Sequence, residues 1–440
     1  MSCEIKIESK VGDRIHKGYK FRIYPDAEQQ IFLAKSFGCN RFVWNHFLAE
    51  RQRYYLANKD VKDGKRSLNY YDNARDLTKL KKEEATAWLS EVNAQSLQAE
   101  LKNLDGAYLG FFKGRTKYPR FKNKADNQAC KFPQGFSLDG SIFWIPKLKN
   151  PIKIVKHREF GINAEILTVT ISKAKAGKYY AAFCVEEDSK PLAKSSKTIG
   201  IDVGLTDFAT LSDGTKIKNP KIAWSQRKKL SFLQRQHSKK QKQGKNREKA
   251  RIRVAKCHEK ITAKKQDFTH KLSRRIVDEN QVIAVEDLNV VGMMKNRRLA
   301  RSIGEVSWSE FTRQLEYKSE WAGRDFVKVG RFFPSSKLCP CGHVNQNLKL
   351  SDRTWQCPKC GISIDRDKNA ALNILRQGLN LLANEEFKSG EGLPSDATKP
   401  KGGAKAKLAG PVNKQKLREA LPRVLSQDKK NGRVYELRSP

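Results

Sequence analysis

One eight-residue run, Thr198-Ile199-Gly200-Ile201-Asp202-Val203-Gly204-Leu205, limits the fold more than any other stretch of the chain. Its β-branched content predicts a strand, in which successive side chains alternate faces. One face then carries Ile199, Ile201, Val203 and Leu205, all bulky. The other carries Thr198, Gly200, Asp202 and Gly204, all small except the acid. Such a strand needs a core on one side and something close on the other. A metal ion with a nucleic-acid backbone is one candidate for the close side; a solvated acid on an edge strand is the bland alternative. Phe208 to Leu211, Ser212-Asp213-Gly214 and Thr215 to Ile217 then read as a hairpin, with Asp-Gly as the turn and Asp213 structural.

Two more acids stand in comparable settings. Val282-Ile283-Ala284-Val285-Glu286-Asp287-Leu288 is apolar on both faces, the pattern of a buried strand. Glu286 shares a face with small Ala284, and Asp287 shares one with Ile283 and Val285, so alternation favours Glu286. In Asp365-Arg366-Asp367-Lys368-Asn369-Ala370-Ala371-Leu372-Asn373-Ile374, the paired alanines let a helix lie close on a sheet with Asp367 at its start. An N-cap is the plain alternative for Asp367, and Asp365 is its understudy. Carboxylates from two strands and a helix start are what two-metal phosphodiester hydrolysis requires. Hard Mg²⁺ (or Mn²⁺) takes oxygen ligands, and two ions about 4 Å apart flank the attacking and leaving oxygens. The chain has no Gly-x4-Gly-Lys-Ser/Thr loop and no Gly-x-Ser-x-Gly elbow, so neither an NTPase motor nor an esterase-like site is supported.

The partner is indicated by charge. Lys+Arg number 88 against 47 Asp+Glu, a formal +41 over 440 residues. This excludes a small-molecule enzyme of ordinary surface, an acidic disordered regulator and a disulfide-stapled secreted module. Phosphate contacts that release counterions are the usual use of such a field. Between Arg227 and Arg275 the imbalance peaks, with only Glu248, Glu259 and Asp267 as acids. There Val254, Ile261, Phe268, Leu272 and Ile276 recur at helical spacing, predicting a long helix or helix pair with a basic outer face. Candidate nucleic-acid contacts are Lys20 and Arg22, then Arg227, Lys228, Arg251 and Arg253, then Arg297 and Arg298. The basic stretches lack a lipid-facing pattern, and no run approaches the roughly 20 apolar residues a bilayer needs. The N-terminal Met1-Ser2-Cys3-Glu4 carries no signal-peptide pattern, so a soluble cytoplasmic protein with no membrane partner is expected.

Five of the nine cysteines are scattered (Cys3, Cys39, Cys130, Cys184, Cys257), as free thiols in a reducing compartment would be. Four are clustered in Cys339-Pro340-Cys341-Gly342 and Cys357-Pro358-Lys359-Cys360-Gly361. Two pairs beside turns are the zinc-ribbon arrangement, in which one structural Zn²⁺ closes a module too small to fold unaided; a degenerate, metal-poor site is the alternative. The first pair has a one-residue spacer where two is usual, so His343 stands as a substitute ligand for Cys339 or Cys341.

Along the chain, 17–24 reads as a strand, followed by a helix from Pro25-Asp26 to Phe37 and a second from Gly38 to Leu56. Further helices are expected at 67–81 and 91–114. Strands are expected at 141–145, 152–155, 167–171 and 179–185, a polar linker at 186–196, and a flexible tail from about Gln377.

Taken together, Gly200-Ile201-Asp202-Val203-Gly204, Val285-Glu286-Asp287-Leu288, the ribbon and the Asp365 to Ile374 segment resemble the split RuvC nuclease of the TnpB family of RNA-guided DNA endonucleases. Tyr19-Lys20-Phe21-Arg22-Ile23-Tyr24-Pro25, Phe42-Val43-Trp44-Asn45, Trp88-Leu89, Lys295-Asn296-Arg297-Arg298-Leu299-Ala300 and Phe333-Pro334-Ser335-Ser336 extend the likeness over residues 17 to about 376. The resemblance implies a multidomain α+β fold. A wedge-like β-barrel (1–25 and 128–190) would carry a helical recognition insertion (26–127). An RNase H-like RuvC domain (191–335 and 362–380) would carry the zinc ribbon (336–361), ahead of a flexible tail (381–440). It implies Asp202, Glu286 and Asp367 as the metal-binding catalytic triad, and Cys339, Cys341, Cys357 and Cys360 as zinc ligands. It also implies a guide RNA from the transposon end and a double-stranded DNA target cut beside a short adjacent motif, by a protein monomeric in its ribonucleoprotein. The rivals are a small type V CRISPR effector, a nuclease-silent RNA-guided repressor and a DNA-joining transposase. The last would want a Tyr nucleophile with paired His ligands, and the seven His show no such spacing.

Overall fold

A computed structural model describes residues 14–61, 64–349 and 351–390. The chain divides into two compact units. One comprises 18–160 and 165–185; the other comprises 14–17, 161–164 and 186–390 among the described residues.

The first unit combines a curled sheet with a helical layer. Its elements are β1 (Arg14–Tyr24, which begins in the other unit), α1 (Ala27–Asn58), α2 (Tyr70–Leu80), α3 (Ala94–Phe112), β2 (Gln128–Phe132), β3 (Ser137–Asp139), β4 (Ile142–Trp144), β5 (Ile152–Val155), β6 (Glu165–Lys173) and β7 (Tyr179–Asp188). The strand order is β2-β6-β7-β1-β5-β4-β3, so the sheet keeps two edges, β2 and β3, and is an open half-barrel. Its concave core holds the fully buried Phe21, Phe132, Phe143 and Phe183. Phe183 meets Phe143 edge-on at 5.3 Å between ring centroids. The helices pack separately through Val43, Phe47, Leu48, Leu89, Leu97, Leu101 and Leu104.

Two expectations change here. The helices foreseen on either side of Gly38 are one helix of 32 residues, opened by a capping box between Asp26 and Gln29. A glycine inside a helix costs about 1 kcal/mol relative to alanine, which 31 other residues and a buried face readily offset. The 91–114 helix begins only at Ala94, capped by Asn93, because Glu84–Glu91 forms a separate 3-10 turn. Trp44 and Asn45 have structural roles: the indole donates to Arg120 O (2.9 Å), and the amide exchanges hydrogen bonds with the Lys122 backbone (2.9 and 2.8 Å).

The second unit is built on β8 (Thr198–Val203), β9 (Asp207–Leu211) and β10 (Lys216–Lys218). They are followed by α4 (Ile222–Ser225), α5 (Arg227–Ser238), α6 (Lys245–Glu279), β11 (Val282–Glu286), α7 (Val290–Met293), α8 (Ala300–Val306), α9 (Trp308–Ala322) and β12 (Asp325–Val329). A hairpin, β13 (Thr354–Gln356) and β14 (Ser363–Asp365), then leads into α10 (Arg366–Gly390). The sheet order is β10-β9-β8-β11-β12. β11 runs parallel to both β8 and β12, whereas β9 is antiparallel to β8 and to β10. Ile199, Ile201, Ile283 and Val285 face a core shared with Leu272 and Ile276 of α6 and with Phe311 and Leu315 of α9.

The opposite face is cleared for a helix, not for a ligand at Gly200. A Cβ at Gly200 would run into the carbonyl oxygen of Ala371 and stand 2.8 Å from the Leu375 Cβ. Gly378, one turn further on, meets Ala284 of β11 in the same way. Ala370 and Ala371 are fully buried beneath this contact. The small residues therefore let α10 lie on β8 and β11, and α10 brings Asp367 with it.

The Asp213-Gly214 turn is formed, with Gly214 at φ +92°. The polar linker starts later than expected, because β7 runs through Asp188. Within this unit Glu187 is buried and accepts from Lys17 Nζ (2.6 Å) and Gly161 N (2.8 Å), a polar residue used as a core ion pair. The tail expectation also shifts: α10 continues to Gly390, and the remainder of the tail, like residues 1–13, lies outside the described residues. No helix among the described residues is long and apolar enough to cross a membrane.

Candidate metal centres

The C-terminal ends of β8, β11 and β12 lie together because these strands are parallel. Gly200 is paired with Ala284 and Ile201 with Val285, so the next step puts Asp202 beside Glu286 on the face that α10 covers. The α10 start adds Asp367. The expected ambiguities resolve in one direction. Asp287 turns away into an ion pair with Arg331 (2.7 Å). Asp365, not Asp367, caps the helix, accepting from the N–H groups of Asp367 (3.1 Å) and Lys368 (3.0 Å), and it also pairs with Lys216 (2.9 Å). That leaves Asp202, Glu286 and Asp367: the carboxylates of Glu286 and Asp367 both act on Asp202, but among the described residues only the four cysteines bring their ligating atoms within 4.8 Å of one another.

Their electrostatics call for a cation. Burial, followed by the carboxylates of Glu286 and Asp367, pushes Asp202 up from 3.8 to about 7. Glu286 is likewise raised, by burial and by Asp287. Asp367 carries a positive charge already: Arg353 Nη1 lies 3.1 Å from its Oδ2, while Nη2 reaches Thr206 Oγ1 at 3.4 Å. Arg353 precedes β13, and its carbonyl is fixed by the Arg366 N–H (2.9 Å). No motif announced this arginine; only the folding of the hairpin onto α10 brings it here. The donor set, all carboxylate oxygen, is the type that hard divalent ions take.

The cysteine cluster is tighter. The ligating atoms of Cys339, Cys341, Cys357 and Cys360 all lie within 4.8 Å of one another. Two of the sulfur pairs stand 3.5 and 3.7 Å apart, against about 3.8 Å for a tetrahedron with Zn–S near 2.3 Å. Burial raises the Cys357 thiol, but the backbone N–H groups of Cys360 and Lys359 and the neighbouring thiols pull it down, whereas burial pushes Cys339 up, so the four thiols share negative charge unevenly without a cation among them. The one-residue spacer is accommodated by a tight turn: Gly342 N donates to Cys339 O at 2.9 Å with Gly342 at φ +84°. His343 is not among the clustered ligands. Its carbonyl instead accepts from Cys339 N (2.8 Å). The module is tied to α10 by two buried amides: Asn369 donates to Leu338 O (2.8 Å), and Asn373 donates to Ser335 O (2.8 Å) and Leu338 O (2.7 Å). Cys39, Cys130, Cys184 and Cys257 are free thiols, and Cys3 lies outside the described residues.

The candidate nucleic-acid contacts are distributed over both units. Lys20 and Arg22 stack on Tyr180 in the sheet of the first unit. Arg227, Lys228, Arg253, Arg297 and Arg298 are exposed in the second unit. Arg251 is engaged along its own helix by Glu248 at 2.6 Å, an i,i+3 pair that the basic run had obscured.

Residues 182–297 match the family described as a probable transposase (OrfB_IS605), and 308–374 match the Cas12f1-like TNB domain. Residues 15–60 match a helix-turn-helix domain, although here they form β1 and the uninterrupted α1. A Streptomyces pristinaespiralis protein, provisionally named RNA-guided DNA endonuclease, is 40% identical over 369 residues, 83% of this chain and 90% of its own length. InsQ of Escherichia coli K12, under the same provisional name, is 32% identical over 401 residues, 87% of this chain and 97% of its own. Among solved structures, Cas12f1 in its complex with sgRNA and target DNA shares the fold, with a TM-score of 0.52 at 15% identity over 82% of this chain and 98% of that one. Matched at this identity over nearly the whole length of its relatives, the chain belongs to the TnpB family.

Proposed function

We propose that the protein is an RNA-guided DNA endonuclease in which Asp202, Glu286 and Asp367 form a RuvC-like, two-metal hydrolytic site. The supporting observation is that strand register sets Asp202 beside Glu286 on the face α10 covers and that the carboxylates of Glu286 and Asp367 both act on Asp202, while Asp287 pairs with Arg331 and Asp365 caps α10. Asp202, central among them, would contact both ions, with Glu286 and Asp367 each holding one. Divalent ions there would supply an activated water and charge for the leaving oxygen. The role of the chain is to supply Asp202, Glu286 and Asp367, whose negative charge bound divalent ions would balance, to bring Arg353 beside Asp367, and to keep α10 fixed on the sheet. No covalent enzyme intermediate is part of the proposal: among the described residues no Ser, Cys or Tyr is hydrogen-bonded to Asp202, Glu286 or Asp367. One such site would cut the two DNA strands in turn. The +41 charge suits a guide RNA and its target, with base pairing reading the sequence. The four cysteines would hold one zinc ion as structural support.

The test is cleavage of a guide-matched duplex by Asp202→Ala, Glu286→Ala and Asp367→Ala proteins carrying co-purified RNA. Each should lose cutting by at least about a thousandfold while retaining RNA and target, and Asp287→Ala should keep cutting. Loss of RNA binding in the Asp202→Ala protein would assign that residue to folding instead. A nuclease-silent reading is disfavoured by the intact acid set.

A further inference from the structure

Phe332 is 94% exposed, the most exposed of the large apolar side chains among the described residues. Scattered exposed apolar residues are ordinary; the mounting of this one is not. Val329, the last residue of β12, is paired with Glu286. The chain then turns through Gly330-Arg331-Phe332-Phe333, closed by Phe333 N donating to Gly330 O (3.0 Å). Phe333 packs inward on Ala284, Val329 and Ile374. Arg331 is fastened to Asp287 (2.7 Å). With both neighbours anchored, the Phe332 ring is held out into solvent. At no more than about 3.6 Å per residue, its Cα lies within about 11 Å of the Val329 that adjoins Glu286.

A second exposed aromatic follows the other edge strand of the sheet. Lys218 ends β10 opposite Asp207, which begins β9. Asp202 and Val203 face Thr210 and Ala209 of β9, so β10 also leaves the sheet at the acidic end. Asn219 is held there by its hydrogen bond to Leu205 O (2.9 Å). Five residues later stands Trp224, 65% exposed, in a stretch with no acid between Asp213 and Glu248. Each edge strand of the five-stranded sheet, β12 and β10, is thus followed beyond its acidic end by an exposed aromatic ring.

Exposed rings beside positive charge bind unpaired bases, whose faces are open, whereas duplex bases are already stacked on one another. We propose that Phe332 and Trp224 form a base-stacking subsite for single-stranded DNA, seating the unpaired strand on either side of the phosphate presented to Asp202, Glu286 and Asp367. This rests on the nuclease reading above: guide pairing to one DNA strand frees the other.

The test uses the full chain with its co-purified RNA and a guide-matched DNA whose unpaired strand carries 2-aminopurine at successive positions, in an Asp202→Asn background that does not cut. Stacking on a ring quenches the probe. Quenching is expected at positions close to the cut site, lost with Phe332→Leu and kept with Phe332→Trp, with the same pattern at separate positions for Trp224→Leu and Trp224→Phe. Single-strand affinity should fall roughly five- to hundredfold per ring removed. In the cutting-competent chain, Phe332→Leu should raise KM more than it lowers kcat. A Phe332→Leu protein that matches its parent in quenching, affinity and KM overturns the subsite while leaving the nuclease intact. Phe332-dependent quenching in a chain that never cuts would keep the subsite and remove the nuclease. Failure of every form to bind the strand counts against both rings.

Discussion

Asp202→Asn should make the metal-free protein more stable, and by an amount that depends on pH. In the folded chain the Asp202 carboxyl is raised from 3.8 to about 7. Below the unfolded value the group is protonated in both states and contributes nothing. Between 3.8 and 7 the folded chain keeps a proton that the unfolded chain has released, so stability falls as pH rises; above 7 the whole penalty is present. At about 1.4 kcal/mol per pH unit, the shift corresponds to at most about 4 kcal/mol, and relaxation reduces that to a few. For a unit of this size each kcal/mol moves Tm by about 2–4 °C. In EDTA near pH 8, Asp202→Asn should therefore melt about 5 °C or more above wild type, and near pH 5 the gap should shrink to about a third. Millimolar Mg²⁺ should lift wild type and leave the variant unmoved. Equal melting at pH 8, or an equal gap at both pH values, would refute the idea that three carboxylates crowd one another here.

Further outcomes follow from other contacts. Metal analysis should find close to one zinc per chain, and Cys357→Ser should release it; zinc-free protein that still melts like wild type would show that the cysteine module is held by packing alone. Gly200→Ala should cost at least about 1–3 kcal/mol, because the added methyl meets the α10 backbone rather than a flexible side chain; a soluble, equally stable protein would contradict the observed packing. Arg353→Ala should lower cutting by roughly 10²–10³ without loss of RNA, as measured by single-turnover cleavage, since it removes the guanidinium paired with Asp367.

Much of the second unit was legible because strand alternation is a short-range property. The split between bulky and small faces at Thr198 to Leu205 located Asp202, and the same parity picked Glu286 over Asp287. What filled the small side was not legible: glycine signals close approach without naming what approaches, and only the fold shows that α10 does. The choice of Asp365 as cap over Asp367 depends on backbone angles at the helix start, which the run Asp365-Arg366-Asp367 leaves open. Arg353 was invisible because its partners, Thr206 and Asp367, are distant in sequence. Gly38 misled for a related reason, since local propensity is outweighed by tertiary burial along one long helix, from Leu33 to Leu48.

The amides of Asn369 and Asn373 grip carbonyls at Ser335 and Leu338, upstream of the cysteines. The ribbon is thus a graft with a defined root, not a freely exchangeable cassette. A transplanted module from a relative would have to bring the same two carbonyls to the same helix, or it would arrive folded and metal-loaded yet unable to dock.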